Sequence, residues 1–251
     1  MYTSRMTKQE NLETVRFIST VRGLTSLEDC TPKPAKYFTP TWWKDMPPGL
    51  PYADSVALAV TTVKMCPSFP EFFSLGYVIP MWADTTIKYS EETDTWEWRC
   101  GHPDSPYKIS IHAKDQYMNH APVNTLGVKT NYVFKFESPW KLITPKGWSV
   151  LQLPMFYNFS DDFTVAAGTT HTDVLHDTNL QVLYHGNGKE IFIKRGTPLA
   201  QFIPYRREKL DMTVSEATEE DRLLFESINL NLVSSFTGGY RKEIRRRSNE
   251  E

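Results

Sequence analysis

The chain has 251 residues, 40% of them hydrophobic and 13% aromatic, which is enough to form one large β domain or two smaller ones. Its 28 basic and 30 acidic residues nearly balance, which argues against general binding to nucleic acids and other polyanions. Its 3 cysteines are widely spaced, which indicates reduced thiols, and no apolar run approaches the roughly 18 residues of a membrane-spanning helix, so we expect a soluble intracellular protein with no membrane partner.

Residues 1–55 are predicted to form one strand followed by an extended arm. The strand is expected at Val15–Thr20, where β-branched and aromatic residues predominate. Frequent prolines between residues 30 and 52 argue against a regular helix or a central strand in the arm. Trp42 and Trp43 lie within it, and we expect both to be buried against the same domain or a neighbouring subunit.

Residues 56–210 are predicted to form one mostly β domain, a barrel or a jelly roll. Short segments rich in β-branched and aromatic residues alternate with Gly, Pro and Asn turns, which is typical of these architectures. One short helix is expected at Pro67–Leu75, closed by Gly76 in the left-handed conformation. An acidic turn at 91–94 indicates a hairpin. The strands are expected at residues 56–65, 77–89, 96–99, 107–112, 132–137, 140–144, 148–153, 163–166, 180–184, 190–193 and 195–204.

Residues 211–251 are predicted to form a C-terminal helix and a basic tail. The helix is expected at Glu219–Val233, where leucine and isoleucine recur at helical spacing and acidic residues fill the first turn. The tail is expected to be solvated, and its basic residues are Arg241, Lys242, Arg245, Arg246 and Arg247.

A histidine cluster between residues 168 and 206 is a candidate metal site. His171 and Asp173, two residues apart on a strand, would face the same way, as in the 2-His-1-carboxylate triad that binds Fe(II) in 2-oxoglutarate oxygenases. His185 is the candidate third ligand, but it lies closer in the chain than such triads usually place it. The alternative is that these are polar histidines at a hairpin or a subunit interface.

The acidic pair Asp161 and Asp162 offers another candidate, a Mg²⁺ site with two carboxylates. Adjacent residues on a strand point to opposite faces, which favours a role in a turn instead. The main prediction therefore includes no cofactor, with Fe(II) or Mg²⁺ as the alternatives, and no catalytic residue is identified.

The segment that ends the β domain resembles the C-terminal core of the dUTPase and dCTP deaminase superfamily. The residues that carry the resemblance are Gly196-Thr197-Pro198-Leu199-Ala200-Gln201-Phe202-Ile203, with a looser match at Gly168-Thr169-Thr170-His171-Thr172-Asp173. The resemblance implies a dUTPase-like β fold and a nucleotide ligand. It makes Gly168, His171, Asp173 and Gln201 the candidate ligand-binding residues.

The whole chain is also similar to an uncharacterised family of tailed-bacteriophage proteins found in marine and cyanobacterial phages. That similarity rests on segments such as Trp42-Trp43-Lys44-Asp45-Met46-Pro47 and Pro139-Trp140-Lys141-Leu142-Ile143-Thr144. It implies a phage protein in the host cytoplasm or the virion. With the proline-rich arm, it predicts a non-enzymatic assembly or binding protein that associates with itself, a trimer being one arrangement, or with other phage or host proteins. The alternatives are a nucleotide-binding dUTPase-like protein and an Fe(II)/2-oxoglutarate oxygenase that uses His171 and Asp173.

Overall fold

The structure, a computed structural model, describes residues 13–52, 55–90, 92–93, 95–101, 109–112, 116, 132–158, 160–185, 190–234 and 239–248. Most of the regular structure is strand. The strands are β1 (Arg16–Ser19), β2 (Lys33–Pro34), β3 (Gly49–Tyr52), β4 (Ser55–Thr61), β5 (Tyr77–Pro80), β6 (Thr85–Ser90), β7 (Thr95–Cys100), β8 (Ile109–Ile111), β9 (Tyr132–Ile143), β10 (Trp148–Pro154), β11 (Phe163–Val165), β12 (Gly168–Thr170), β13 (Asp177–Tyr184), β14 (Ile191–Ile193) and β15 (Pro198–Arg206).

The strands pair antiparallel in two larger and two smaller sheets. One larger sheet has the order β1-β9-β13-β11, with β8 also paired to β9, and the other has the order β12-β10-β15-β5-β2. The smaller sheets are β14-β6-β7 and β3-β4. This confirms the predicted mostly β fold. Within the described part of the chain no sheet closes on itself, so the strands form open layers and not a closed barrel.

The hydrophobic core is built mainly from the alternating inward residues of both larger sheets, with further residues from β6, β14 and the N-terminal segment. Along β13 every second residue is buried, including Leu180 and Val182, and β9 contributes Phe134 and Phe136. The second sheet adds Phe202 and its neighbours to the same buried cluster. Successive side chains of a strand point to opposite faces, so the apolar faces of the two sheets meet in one shared core.

The N-terminal segment differs from the predicted extended arm. A short helix, α1 (Thr41–Asp45), begins directly after Pro40, because proline is tolerated at a helix start, where its missing N–H needs no partner. Trp43 is buried and stacks on Phe69, whereas Trp42 keeps 43% of its surface exposed. The expectation that both tryptophans are buried is therefore wrong for Trp42, and Trp43 packs within its own chain.

Several element bounds also differ from the prediction. The strand expected at 77–89 is divided into β5 and β6, which belong to different sheets, and those expected at 132–137 and 140–144 are one strand, β9. Residues 107–108 of a further expected strand lie outside the described residues. The hairpin around residues 91–94 is confirmed by the pairing of β6 with β7.

Besides α1, the α-helices of the described residues lie between β4 and β5 and at the C-terminal end. The predicted helix at 67–75 is observed as α2 (Ser68–Ser74), and the C-terminal helix as α3 (Glu219–Ser234). Part of the expected basic tail forms a second helix, α4 (Gly239–Ser248). No helix in the described ranges is both long enough and apolar enough to cross a membrane.

Candidate functional site

His171 and Asp173 lie in the turn between β12 and β13, and both belong to a structural network. The Nδ1 atom of His171 is 2.7 Å from Ser149 Oγ, which is fully buried and so out of reach of a substrate. Both carboxylate oxygens of Asp173 accept hydrogen bonds from the Arg207 guanidinium, and one also accepts from the Gly147 amide. The hydrogen bonds from Arg207 hold the pKa of Asp173 well below its usual range. This pair fixes the chain as it leaves β15.

His185 lies at the opposite end of β13 from the His171 turn. The eight-residue strand β13, about 25 Å long at 3.3 Å per residue, runs between the turn that holds His171 and His185. His185 Nε2 is 2.9 Å from Thr164 Oγ1, and burial of the ring lowers its pKa. Within the described residues no three metal-binding side chains come together. The structure thus does not assemble His171, Asp173 and His185 as an Fe(II) site.

The other two predicted ligand-binding residues are Gln201 and Gly168. The Gln201 side chain binds backbone carbonyls, and Gly168 is part of a strand. The side-chain amide of Gln201 donates to the carbonyl oxygens of Phe72 and Leu75, which end α2, at 3.2 and 2.7 Å. Gln201 is buried, and this pairing satisfies carbonyls that a helix end leaves open. Gly168 lies on the short strand β12, opposite Gln152 of β10. Gly168 and Gln201 thus lie on the two strands that flank β10, and ligand binding by Gly168, His171, Asp173 and Gln201 stays a prediction.

A different part of the molecule carries a cavity of about 420 Å³. Its wall combines the loop after β10, strand β11, the end of β14 and the start of β15. It is lined by Pro154, Met155, Phe156, Asn158, Ser160, Asp162, Phe163, Thr164, Val165, Phe192, Ile193, Thr197, Pro198 and Leu199. We refer to it below as the β11–β14 pocket.

The β11–β14 pocket is apolar with a small set of polar groups. Phe156 and Phe192 present aromatic faces and are 43% and 59% exposed. Asp162 is the one ionisable side chain among the described lining residues, and Asn158 supplies an amide. Concave sites of a few hundred Å³ with aromatic walls and few polar groups are typical of small-molecule binding.

The loop that forms one wall of the pocket has a strained backbone and is hydrogen-bonded to the N-terminal segment. Tyr157 has a φ of 70°, a left-handed conformation that is unfavourable for a residue with a side chain. Trp42 Nε1 donates to the Tyr157 carbonyl at 2.9 Å, and the Asn158 amide donates to the Phe38 carbonyl at 3.1 Å. The Tyr157 ring also packs on Phe69. The N-terminal segment therefore positions Phe156 and Asn158 at the pocket.

The sequence contains only an indirect signal for this pocket. Asp162, which the sequence suggests as a Mg²⁺ ligand or a turn residue, lines the cavity, whereas its neighbour Asp161 does not. His185, predicted as a metal ligand, instead supports the pocket wall from behind through Thr164. The dense run of aromatic and polar residues at 155–160 is the available cue, but it has no recognisable motif.

Comparison with known proteins finds likeness only among solved structures. No protein-family model and no curated protein matches the chain. A dUTPase mutant from Staphylococcus aureus phage phi11, described with a structural Mg(II) ion, aligns at 9% identity and a TM-score of 0.35 over 82% of this chain and 99% of that one. A dUTPase mutant from Staphylococcus phage 80alpha aligns at 8% identity and a TM-score of 0.36 over 82% of this chain and 98% of its own.

Proposed function

We propose that the chain is a small-molecule binding protein that holds a nucleoside or nucleotide in the β11–β14 pocket. The observation that carries the proposal is the pairing of exposed phenylalanine faces with an amide and a carboxylate around a cavity of about 420 Å³. Planar bases stack on aromatic side chains, a contribution of about 1–3 kcal/mol per base. Amide and carboxylate groups hydrogen-bond to the polar edges of bases and to sugar hydroxyls.

The charge of the pocket favours binding through the base and sugar. No lysine or arginine is found among the described lining residues, so those residues offer no cation to a phosphate. A phosphate chain would then extend into solvent. We therefore expect nucleosides and their phosphates to bind with similar affinity.

The choice of base follows from the sequence resemblance. Thr197, Pro198 and Leu199 line the pocket and belong to the segment that resembles the dUTPase and dCTP deaminase superfamily. Deoxyuridine, deoxycytidine and their phosphates are therefore the first probes, with purine nucleosides as the comparison.

Replacing Phe192 with alanine should weaken the binding of these probes by about tenfold or more, because it removes one stacking face. Asp162→Asn should weaken binding if the carboxylate accepts a hydrogen bond from a donor group of the base. It should strengthen binding if an acceptor group of the base faces this position. Isothermal titration calorimetry on the full chain measures both effects.

Two matched variants control this experiment. Asp161→Asn changes the adjacent carboxylate, which does not line the pocket, and Tyr37→Ala removes an aromatic ring that is 64% exposed elsewhere. Both should bind like the unaltered chain. Absence of binding by every probe at millimolar concentration, or equal loss in the controls, would contradict the proposal.

We propose a second candidate function, that of an oligomeric phage assembly or binding protein, on a different observation. Residues 208–218 lie outside any helix or strand and are exposed along their whole length. A long exposed segment of this kind is typical of chains that gain order on a partner. Mass spectrometry of purified virions tests the virion version, and absence of the chain from virions would exclude it in favour of the host-directed version.

A further inference from the structure

The polar side chains that line the β11–β14 pocket are of two kinds. Ser160, Thr164 and Thr197 carry hydroxyls, which donate or accept a hydrogen bond as the ligand requires. Asn158 and Asp162 are different, because each presents a group whose hydrogen-bonding role does not change. The choice between ligands of similar shape therefore depends on these two side chains.

The side-chain amide of Asn158 is oriented by the N-terminal segment. Its nitrogen donates to the Phe38 carbonyl at 3.1 Å. A carbonyl oxygen only accepts, so a reversed amide would lose this hydrogen bond and place two oxygens against each other. None of the described residues donates a hydrogen bond to Asn158 Oδ1, although the side chain is half-buried. Asn158 therefore offers a ligand an acceptor.

The carboxylate of Asp162 is a second acceptor at the same pocket. The backbone of Asp162 is fixed, because its amide donates to Ser160 Oγ at 3.2 Å and its carbonyl accepts from the His185 amide at 2.8 Å. Asp162 is exposed, and its carboxylate accepts no hydrogen bond within the described part of the chain, so it is open to a ligand. An ionised carboxylate accepts hydrogen bonds and donates none.

Guanine is the common nucleobase whose polar edge is best matched to such acceptors. Its N1–H and its N2 amino group are adjacent donors, and the two oxygens of one carboxylate accept from both at once. Adenine and cytosine place an acceptor nitrogen beside their amino group, and uracil places its one N–H between two carbonyl oxygens. An acceptor of the ligand opposite an acceptor of the protein leaves both without a partner, which lowers affinity.

We propose that the β11–β14 pocket selects a guanine base, with Asp162 as the ligand-binding residue that accepts from the N1–H and the N2 amino group. This assignment rests on the nucleoside function proposed above and names the base. It differs from the pyrimidines that the sequence resemblance makes the first probes, so the two choices are tested against each other.

The rest of the pocket lining suits a purine of this kind. The exposed rings of Phe156 and Phe192 offer stacking faces, and the fused rings of a purine present a larger face than a pyrimidine. The O6 atom of guanine needs a donor. Ser160 Oγ accepts from the Asp162 amide, which leaves its own proton free to donate.

Two nucleotides that differ in one group test the assignment. The monophosphates of 2′-deoxyguanosine and 2′-deoxyinosine differ only in the N2 amino group. We expect the guanine nucleotide to bind the full chain at least about tenfold more tightly, because one charge-assisted hydrogen bond is lost without that group. The monophosphates of deoxyadenosine and deoxyuridine should also bind more weakly. Isothermal titration calorimetry measures all four.

A variant at Asp162 connects the preference to the carboxylate. Asp162→Asn replaces one of the two acceptor oxygens with a donor, so it should weaken the guanine nucleotide more than the hypoxanthine nucleotide and reduce their ratio of affinities. Asp161→Asn is the matched control and should keep that ratio, because Asp161 does not line the pocket. Both positions are exposed, so both variants should melt at the temperature of the unaltered chain.

The possible failures are distinguishable. Equal affinity for the guanine and hypoxanthine nucleotides, or tighter binding of the uracil nucleotide, would overturn the guanine assignment and leave the nucleoside function standing. A ratio of affinities that survives Asp162→Asn would overturn the role of its carboxylate. Absence of binding by all four nucleotides would overturn the assignment together with the proposed function.

Discussion

The Asp173 carboxylate accepts three hydrogen bonds, two from Arg207 and one from the Gly147 amide. Its side chain is only 7% exposed, so the guanidinium replaces the water that an isolated carboxylate would need. The hydrogen bonds from Arg207 are the main reason that the pKa of Asp173 lies below its ordinary value. A residue that resembles a metal ligand in the sequence thus anchors the chain where it leaves β15.

The lowered pKa of Asp173 predicts a pH-dependent contribution to stability. A depressed folded-state pKa stabilises the protein above the unfolded pKa, near 4, and the contribution is lost as the pH falls towards the folded value. Arg207→Gln should therefore lower the free energy of unfolding at pH 7, and the difference from the unaltered chain should shrink below about pH 4. Urea denaturation across this pH range measures it.

The exposed ion pair of Lys141 with Asp177 provides the control for that measurement. Both side chains are more than a third exposed, so Lys141→Gln should change the free energy of unfolding by no more than about 1 kcal/mol. A difference for Arg207→Gln that stayed constant from pH 7 to pH 2 would show that its hydrogen bonds to Trp148 and Ser149 dominate instead.

Between α2 and β5, one glycine determines how closely the helix approaches the second large sheet. Gly76 has a φ of 64°, which a residue with a Cβ adopts only at a cost. A Cβ at this position would also collide with the backbone carbonyl of Phe202 in β15. The carbonyls that end α2 are meanwhile paired with the Gln201 amide. The backbone of the turn after α2 therefore packs directly against the backbone of β15.

Gly76→Ala and Gly147→Ala should separate backbone strain from collision. Gly147 has a φ of 85°, but a Cβ added there would meet no atom within 4 Å, so its replacement carries only the strain of about 1–2 kcal/mol. Gly76→Ala adds the collision and should cost more than about 3 kcal/mol. Thermal unfolding of the two variants compares them, and similar melting temperatures would mean that α2 can move away from β15.

Over the whole molecule, the N-terminal segment is part of the core and the C-terminal segment is not. Leu24 and Cys30 are fully buried in the central cluster, and β1 pairs along β9. Burial raises the pKa of the Cys30 thiol to about 12, which keeps it protonated and unreactive. Among the described residues after 207, none belongs to that cluster.

Two truncations test this division against the boundaries predicted at residues 55 and 210. A chain of residues 1–207 should fold, with a melting temperature within a few degrees of the full chain. A chain that begins at Val56 should fail to unfold cooperatively, because it lacks β1 and the buried Leu24 and Cys30. Circular dichroism with heating distinguishes them. A cooperative transition in the chain that begins at Val56 would instead show that the N-terminal 55 residues are a separate unit.

The sequence by itself determined the mostly β composition, most strand positions, the α2 helix with Gly76 and the start of the C-terminal helix. These follow from local patterns of side chains, which act over a few residues. It could not show that β5 and β6 enter different sheets, because strand pairing depends on contacts between distant segments.

Only the tertiary structure identifies the candidate site, the β11–β14 pocket. Spacing in the chain makes His171, Asp173 and His185 look like one group, but the length of β13 separates them. The β11–β14 pocket joins residues 154–165 to residues 192–199, which only the packing of separate strands brings together. The exposure of Leu210, Met212 and Val214 is likewise not predictable from the sequence, since alternating apolar residues are also typical of a half-buried strand.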